Sequence, residues 1–181
     1  MTSPSKLKYA VGLLLAVVAL LTTHRASASL TGESRAALRQ LVAQNPAAAK
    51  VSKNAIAVLV FPNVVKAGFI FGGQGGDGVL FVHGSRAGHY RTFAASYGLQ
   101  AGVQRYGYAL FFMNQRAVDW VNAARGWSIG SGPSVVIVNE GAARTINSET
   151  LHSGIYAFTF DQQGLMAGLG IQGSKIERIG D

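Results

Sequence analysis

Residues 66–80 are Lys66-Ala67-Gly68-Phe69-Ile70-Phe71-Gly72-Gly73-Gln74-Gly75-Gly76-Asp77-Gly78-Val79-Leu80. An apolar run that carries one lysine gives way to a glycine cluster, and a second apolar run follows it. Strand-forming residues on both sides of such a cluster are typical of two strands joined by a turn. The stretch therefore predicts a β-rich domain with a glycine-rich turn made by Gly72, Gly73, Gly75, Gly76 and Gly78.

The same glycines match the spacing of a dinucleotide-binding fingerprint, Gly73-x-Gly75-x-x-Gly78. That fingerprint requires a helix directly after the glycines, because the helix N-terminus holds the pyrophosphate. Here Val79-Leu80-Phe81-Val82 follows and predicts a strand. No acidic residue lies about 20 residues further on to bind a ribose hydroxyl. We therefore predict no nucleotide cofactor.

The N-terminus has the three parts of a secretory signal peptide. Lys6 and Lys8 precede an apolar run over residues 9–21, and small residues end at Ala28. The run is shorter than the roughly 20 residues that span a bilayer, although a retained anchor remains an alternative. We predict a signal peptide over residues 1–28, one domain over residues 29–181, and export to the periplasm or outside the cell.

The composition narrows the classes of partner. The chain has no cysteine, so export does not imply disulfide bonds. Residues 29–181 carry 13 basic and 8 acidic residues, a net charge of +5, which suits an anionic surface. The basic residues are scattered without a run, so nucleic-acid binding is not predicted.

Residues 30–54 are rich in alanine and predict two short helices. Leu38, Leu41 and Val42 form an apolar stripe at helical spacing. Asn45 and Pro46 are suited to end the first helix and to cap the second. The helices carry four cations, Arg35, Arg39, Lys50 and Lys53.

The rest of the chain predicts β-structure, since 21 of the 23 glycines and most aromatic residues follow residue 67. We predict an α+β domain: short N-terminal helices, then an antiparallel β-sandwich or barrel-like sheet of about nine or ten short strands, with one inserted helix capped by Asn114. A turn is expected at Asp161-Gln162-Gln163-Gly164, followed by a return strand over residues 165–171.

Four stretches, taken in order, resemble the SYLF lipid-binding domain family. They are residues 55–80 with Lys66-Ala67-Gly68-Phe69, residues 96–118 with Ala109-Leu110-Phe111-Phe112-Met113-Asn114, residues 127–141, and residues 155–179 with Gly164-Leu165-Met166-Ala167-Gly168. The resemblance implies a bacterial, exported, single-domain member that binds lipid, with anionic phospholipid or a membrane surface as its partner. Eukaryotic members bind phosphoinositide membranes and, in fungi, actin, but export argues against actin here.

No constellation of residues predicts an enzyme. The sequence lacks the HExxH pattern, and the one Gly-x-Ser-x-Gly-like stretch does not precede a helix. His83 and His89 flank a predicted hairpin turn, but two histidines alone make a weak metal site. We predict no catalytic residue, no metal and no cofactor.

The cations carry the prediction of a lipid site. Arg35, Arg39, Lys50 and Lys53 could meet phosphate headgroups, each contributing about 1 kcal/mol near an anionic surface. Lys66 is a further lipid-binding candidate, because it interrupts an apolar run beside the glycine cluster. Two alternatives stay open. Lys66 could instead protect an edge strand from aggregation, and the whole domain could be an envelope structural or protein-interaction module without lipid specificity.

Overall fold

A computed structural model describes residues 29–68, 71–97, 102–123, 126–138, 154–164, 171 and 173–181. The predicted signal peptide and most of the predicted return strand lie outside these residues. The described elements, in chain order, are α1 (29–44), α2 (Pro46–Ser52), β1 (Ala57–Gly68), β2 (Phe71–Val82), β3 (Ser85–Tyr97), β4 (Gly102–Phe112), α3 (Gln115–Val121), β5 (Trp127–Ser128), β6 (Val135–Ile137), β7 (Ile155–Gly164) and β8 (Lys175–Gly180).

The described strands form one curled sheet with the order β5-β8-β3-β2-β1-β4-β7-β6. All neighbours are antiparallel except β6 and β7, which run parallel. The α+β prediction is confirmed. Among the described strands, the parallel pair β6 and β7 departs from the predicted antiparallel arrangement. Strands β1 to β4 are longer than predicted and each span 11 to 13 residues, whereas β5, β6 and β8 are short.

One face of the sheet, the helix face, is packed by α1 and α2. Leu41 of α1 and Val51 of α2 are buried against Val60, Val79 and Phe111 of the central strands. Asn45 caps α2 as predicted: its side-chain oxygen accepts hydrogen bonds from the backbone N–H groups of Ala47 and Ala48, both at 3.0 Å. The helices lie flat on the sheet because their apolar stripe faces it.

The opposite face, the inner face, carries the larger core. Alternate residues of each strand point to this side, for example Leu59 and Phe61 of β1. The short helix α3, capped by the Asn114 side chain as predicted, packs Val118 and Val121 here. Both faces of the central strands are therefore buried, which fixes their registers.

The glycine cluster lies inside strand β2, and the prediction that it forms a turn is wrong. Gly72, Gly73, Gly75, Gly76 and Gly78 pair with β3 on one side, and Gly72, Gly73 and Gly75 also pair with β1 on the other.

The reason for two of these glycines is a bulge in β1, where Pro62 and Asn63 lie opposite the single residue Gly107 of β4. A Cβ atom at Gly76 would lie 2.6 Å from the Asn63 carbonyl oxygen, and one at Gly78 would lie 2.5 Å from the Val60 oxygen. Glycine is needed there for close approach of two strands.

A second bulge occurs in β7, where a turn was predicted. Asp161 and Gln162 lie opposite the single residue Tyr106 of β4, so the strand continues to Gly164. Asp161 has φ +51°. The polar residues 161–164 suggested a turn by composition, but pairing of Gln163 with Arg105 keeps them in the sheet.

None of the helices in the described part of the chain combines the length and the hydrophobicity needed to span a membrane.

Candidate functional site

Four predicted site residues lie in the helix layer, formed by α1 and α2. The apolar stripe of α1 faces the sheet, and Arg35 and Arg39 are exposed beside it. Lys50 and Lys53, in and just after α2, are exposed as well. With Glu33 as the one acid among residues 29–54, this layer carries a net charge of +3. Packing of the helices therefore brings these four cations onto one layer.

Arg35 is held in place at the edge of this layer. Its Nη1 donates a hydrogen bond to the Gly84 carbonyl oxygen at 3.2 Å, and its guanidinium carbon lies 4.9 Å from the centroid of the Phe81 ring. A cation over an aromatic ring is electrostatically favourable. Because the side chain is fixed to the β2–β3 turn, its charge is presented with little loss of conformational freedom on binding.

An apolar crevice of about 170 Å³ opens between the helix layer and the sheet, next to Arg35. It is smaller than the roughly 300 Å³ at which pockets begin to enclose a drug-sized ligand. The crevice can thus accept a short apolar segment while the charges around it stay in water. The residues that line it are Leu38, Val42, Ser52, Ala55, Ile56, Ala57, Val58, Phe81, His83, Gly84 and Phe111.

Lys66 does not lie with these cations. It is 8% exposed and lies on the inner face, paired across the ladder with Gln74 of β2 and Gln104 of β4. The alternative that Lys66 protects an edge strand is wrong, because β1 lies in the middle of the sheet. Its proposed contact with lipid remains a prediction.

Polar groups surround this lysine on the inner face. Gln74 accepts a hydrogen bond from the Tyr106 hydroxyl at 2.9 Å and donates one to Ser174 Oγ at 2.8 Å. Gln104 is buried, and its Oε1 has no hydrogen-bond partner. Burial raises the pKa of Tyr106 to about 12. The hydrogen bond between Gln74 and Ser174 ties the segment just before β8 to the sheet centre.

A second cleft, of about 250 Å³, lies between α1 and the bulge of β7, and the sequence analysis did not find it. We call it the α1–β7 cleft; its lining residues are Gln40, Leu41, Gln44, Asn45, Thr159, Phe160 and Asp161. It depends on a bulge that sequence periodicity does not reveal. The signal available was the pair of amides, Gln40 and Gln44, spaced four apart on a helix.

The predicted histidine pair is separated. His83 lies in the β2–β3 turn with φ +48°, while His89 is buried in β3 with its Nδ1 3.2 Å from the Asp181 carbonyl oxygen. Among the residues that the structure describes, no three His, Asp or Glu side chains converge in a way that could hold a metal ion.

Residues 93–181 match the family model Ysc84, described as Las17-binding protein actin regulator. The match, over just under half of the chain, is consistent with membership of this family, the SYLF family. The match includes strands β4 to β8 and all of the second, third and fourth stretches of resemblance. The helix layer and Lys66 lie before its first residue. The SYLF family is linked to lipid or actin-related binding. No curated protein matches the chain.

Proposed function

We propose that this protein is a non-enzymatic envelope protein that attaches reversibly to anionic phospholipid surfaces through its helix layer. The observation that carries the proposal is the position of Arg35, which lies over Phe81 at the mouth of the apolar crevice. A fixed cation beside an apolar opening matches the two parts of a phospholipid, a phosphate headgroup and an acyl chain.

The remaining cations extend this contact. Arg39, Lys50 and Lys53 are exposed on the same layer, and each would contribute about 1 kcal/mol near an anionic surface. The size of the crevice supports contact at a surface rather than enclosure of a whole lipid. We therefore expect attachment that is salt-sensitive and reversible, because exposed charges are screened over about 10 Å at 0.1 M salt.

Vesicle co-sedimentation of residues 29–181 tests the proposal. The protein is mixed with phosphatidylcholine vesicles that contain or lack 30–40 mol% phosphatidylglycerol, at roughly 50 and 500 mM salt. We expect binding that requires the anionic lipid and falls with salt. Neutralising two charges with Arg35→Gln and Arg39→Gln should weaken binding about thirtyfold, from about 1 kcal/mol for each charge.

A matched control distinguishes the effect of where the two arginines lie from the effect of lowering the total charge of the protein. Arg105→Gln together with Arg116→Gln lowers the net charge equally, and both residues are exposed outside the helix layer. This control should lose much less affinity than the helix pair. Equal losses in both double variants would refute the helix layer as the contact surface, and absence of binding by the folded wild type would refute lipid binding.

A protein-interaction role is the second candidate, favoured by the description of the family model as Las17-binding and as an actin regulator. The predicted signal peptide argues against actin, since export would separate the chain from it. If the chain is such a module, filament co-sedimentation or crosslinking in envelope extracts should detect a partner, and vesicle charge should have no effect.

A further inference from the structure

The α1–β7 cleft contains an acidic residue in a strained conformation. Asp161 has φ +51°, in the left-handed region that favours glycine, and it occupies the first position of the β7 bulge. Glycine is the residue that a bulge of this kind prefers, because it has no Cβ to clash. Strained positions of this kind cluster at functional sites.

The Asp161 carboxylate lies at the mouth of the cleft and can accept further hydrogen bonds. The one side-chain hydrogen bond described for Asp161 comes from Gln40 Nε2 at 3.5 Å, at the long limit for such a bond. Asp161 is exposed and takes part in none of the ion pairs among the described residues. The carboxylate oxygens therefore retain capacity to accept hydrogen bonds from a ligand.

The other lining groups suit a positively charged ligand. Phe160 presents an aromatic ring in the same cleft, and aromatic rings attract cations. The ring position is fixed, because Phe160 lies across Gly107, where a Cβ atom would overlap it. Gln40, Gln44 and Thr159 add side-chain oxygens that can accept hydrogen bonds. An ammonium group has three donors and no acceptor, which matches this set.

We propose that the α1–β7 cleft binds a primary ammonium group. In a phospholipid, such a group is carried by the phosphoethanolamine headgroup. The inference rests on the proposed function, because both use α1: its arginines would contact lipid phosphates, and the cleft beside it would contact an ammonium group. The cleft volume of about 250 Å³ suits a headgroup of this size.

The first test uses small soluble probes and the whole mature chain. Ethanolamine and O-phosphoethanolamine are titrated and followed by NMR, with inorganic phosphate and glycerol as comparison probes. We expect the two amines to shift the side-chain amide signals of Gln40 and Gln44 and the backbone signals of Phe160, while phosphate and glycerol do not. Equal shifts with glycerol would overturn the ammonium assignment, as would no shift with either amine.

Two substitutions at one position separate charge from backbone strain. Asp161→Asn removes the negative charge but keeps the shape of the side chain, and asparagine also tolerates the left-handed region. Asp161→Gly removes the side chain and relieves the strain. Both variants should lose at least tenfold in amine affinity, and Asp161→Gly should be as stable as the wild type or more stable. Asp119→Asn, which neutralises an exposed acid on α3, is the matched control and should bind as the wild type does. Wild-type affinity in Asp161→Asn would overturn the proposal.

A vesicle arm distinguishes the membrane-borne headgroup from the free amine. Vesicles of constant phosphatidylglycerol content are prepared with or without phosphatidylethanolamine. A gain in binding that the wild type shows and Asp161→Asn lacks supports recognition at the membrane. An equal gain in both would overturn it. If the wild type binds no vesicle, the proposed function fails, and the soluble amines still decide whether the cleft is a site.

Discussion

Replacing Gly78 with alanine tests whether the glycine cluster lies inside β2, close against β1, and not in a turn. A Cβ atom at this position would lie 2.5 Å from the Val60 carbonyl oxygen and 2.5 Å from Cδ1 of Phe61. The oxygen belongs to the backbone of a buried neighbouring strand and cannot move aside as a flexible side chain could. Relieving these close contacts therefore requires a shift of β1 against β2.

The expected cost follows from overpacking of a well-packed core, which is typically about 1–3 kcal/mol. For a domain of this length, that corresponds to a fall in melting temperature of roughly 2–12 °C, at about 2–4 °C for each kcal/mol. Thermal unfolding by circular dichroism, supported by urea titration, measures it. The slope of the urea transition should stay unchanged, because the fold is retained.

Gly73→Ala is the matched control from the same cluster. Its Cβ atom would lie 3.6 Å from the Ala94 oxygen, an ordinary contact, and the position is exposed. Alanine also restricts the unfolded chain more than glycine does, so this variant should be neutral or more stable by up to about 1 kcal/mol. If both variants had the same effect, the glycines would not be distinguished by strand packing and the reasoning would fail.

Two further outcomes are expected. Asn45→Ala removes the cap of α2 and should lower the free energy of unfolding, measured in urea, by about 0.5–2 kcal/mol. Asn54→Ala is the control, because Asn54 is exposed and its side chain, among the described hydrogen bonds, contacts only the Lys50 carbonyl oxygen. This control should change the free energy of unfolding by less than about 0.5 kcal/mol. The raised pKa of Tyr106, about 12, means that the unfolded state loses its tyrosine proton first, so stability should fall as pH rises from about 10 towards 12. Tyr106→Phe should lose less stability over that pH range, and an identical pH dependence in both proteins would contradict the assignment.

The helices could be predicted from the sequence because their signals are local. Asn45-Pro46 marks a helix boundary by its own chemistry, and Leu38, Leu41 and Val42 mark the buried side by spacing alone. The structure confirms both. The exposure of Arg35 and Arg39 follows from the same periodicity. This part of the candidate site required no knowledge of which strands pair.

The strand boundaries could not be predicted, because they depend on bulges that arise from pairing. Pro62-Asn63 and Asp161-Gln162 have turn-like composition, yet each forms a bulge beside the same short segment of β4, Tyr106-Gly107. A bulge lets a strand continue past residues that would otherwise end it. Composition cannot distinguish a turn from a bulge, since both favour the same residue types.

Lys66 illustrates the same limit for the site. A lysine within an apolar run is visible in the sequence, but its face depends on the bulge at Pro62-Asn63, which shifts the register of β1 between Phe61 and Val64. Had β1 kept its regular alternation through Pro62 and Asn63, with no bulge, the pattern that places Leu59 and Phe61 on the inner face would have put Lys66 on the helix face. The bulge thus separates Lys66 from the arginines of α1.

The two bulges also give the proposed lipid contact its geometry. The β1 bulge moves Lys66 to the inner face, so Lys66 does not add to the cations that α1 and α2 present on the helix side. The β7 bulge places Asp161 next to the last turns of α1, so the helix carries Arg35 in its first half and borders an acidic cleft at its end. An adsorbed lipid layer offers phosphates and, in zwitterionic lipids, ammonium groups. A helix lying flat on the sheet can therefore meet both kinds of charge at once, which a uniformly basic helix could not.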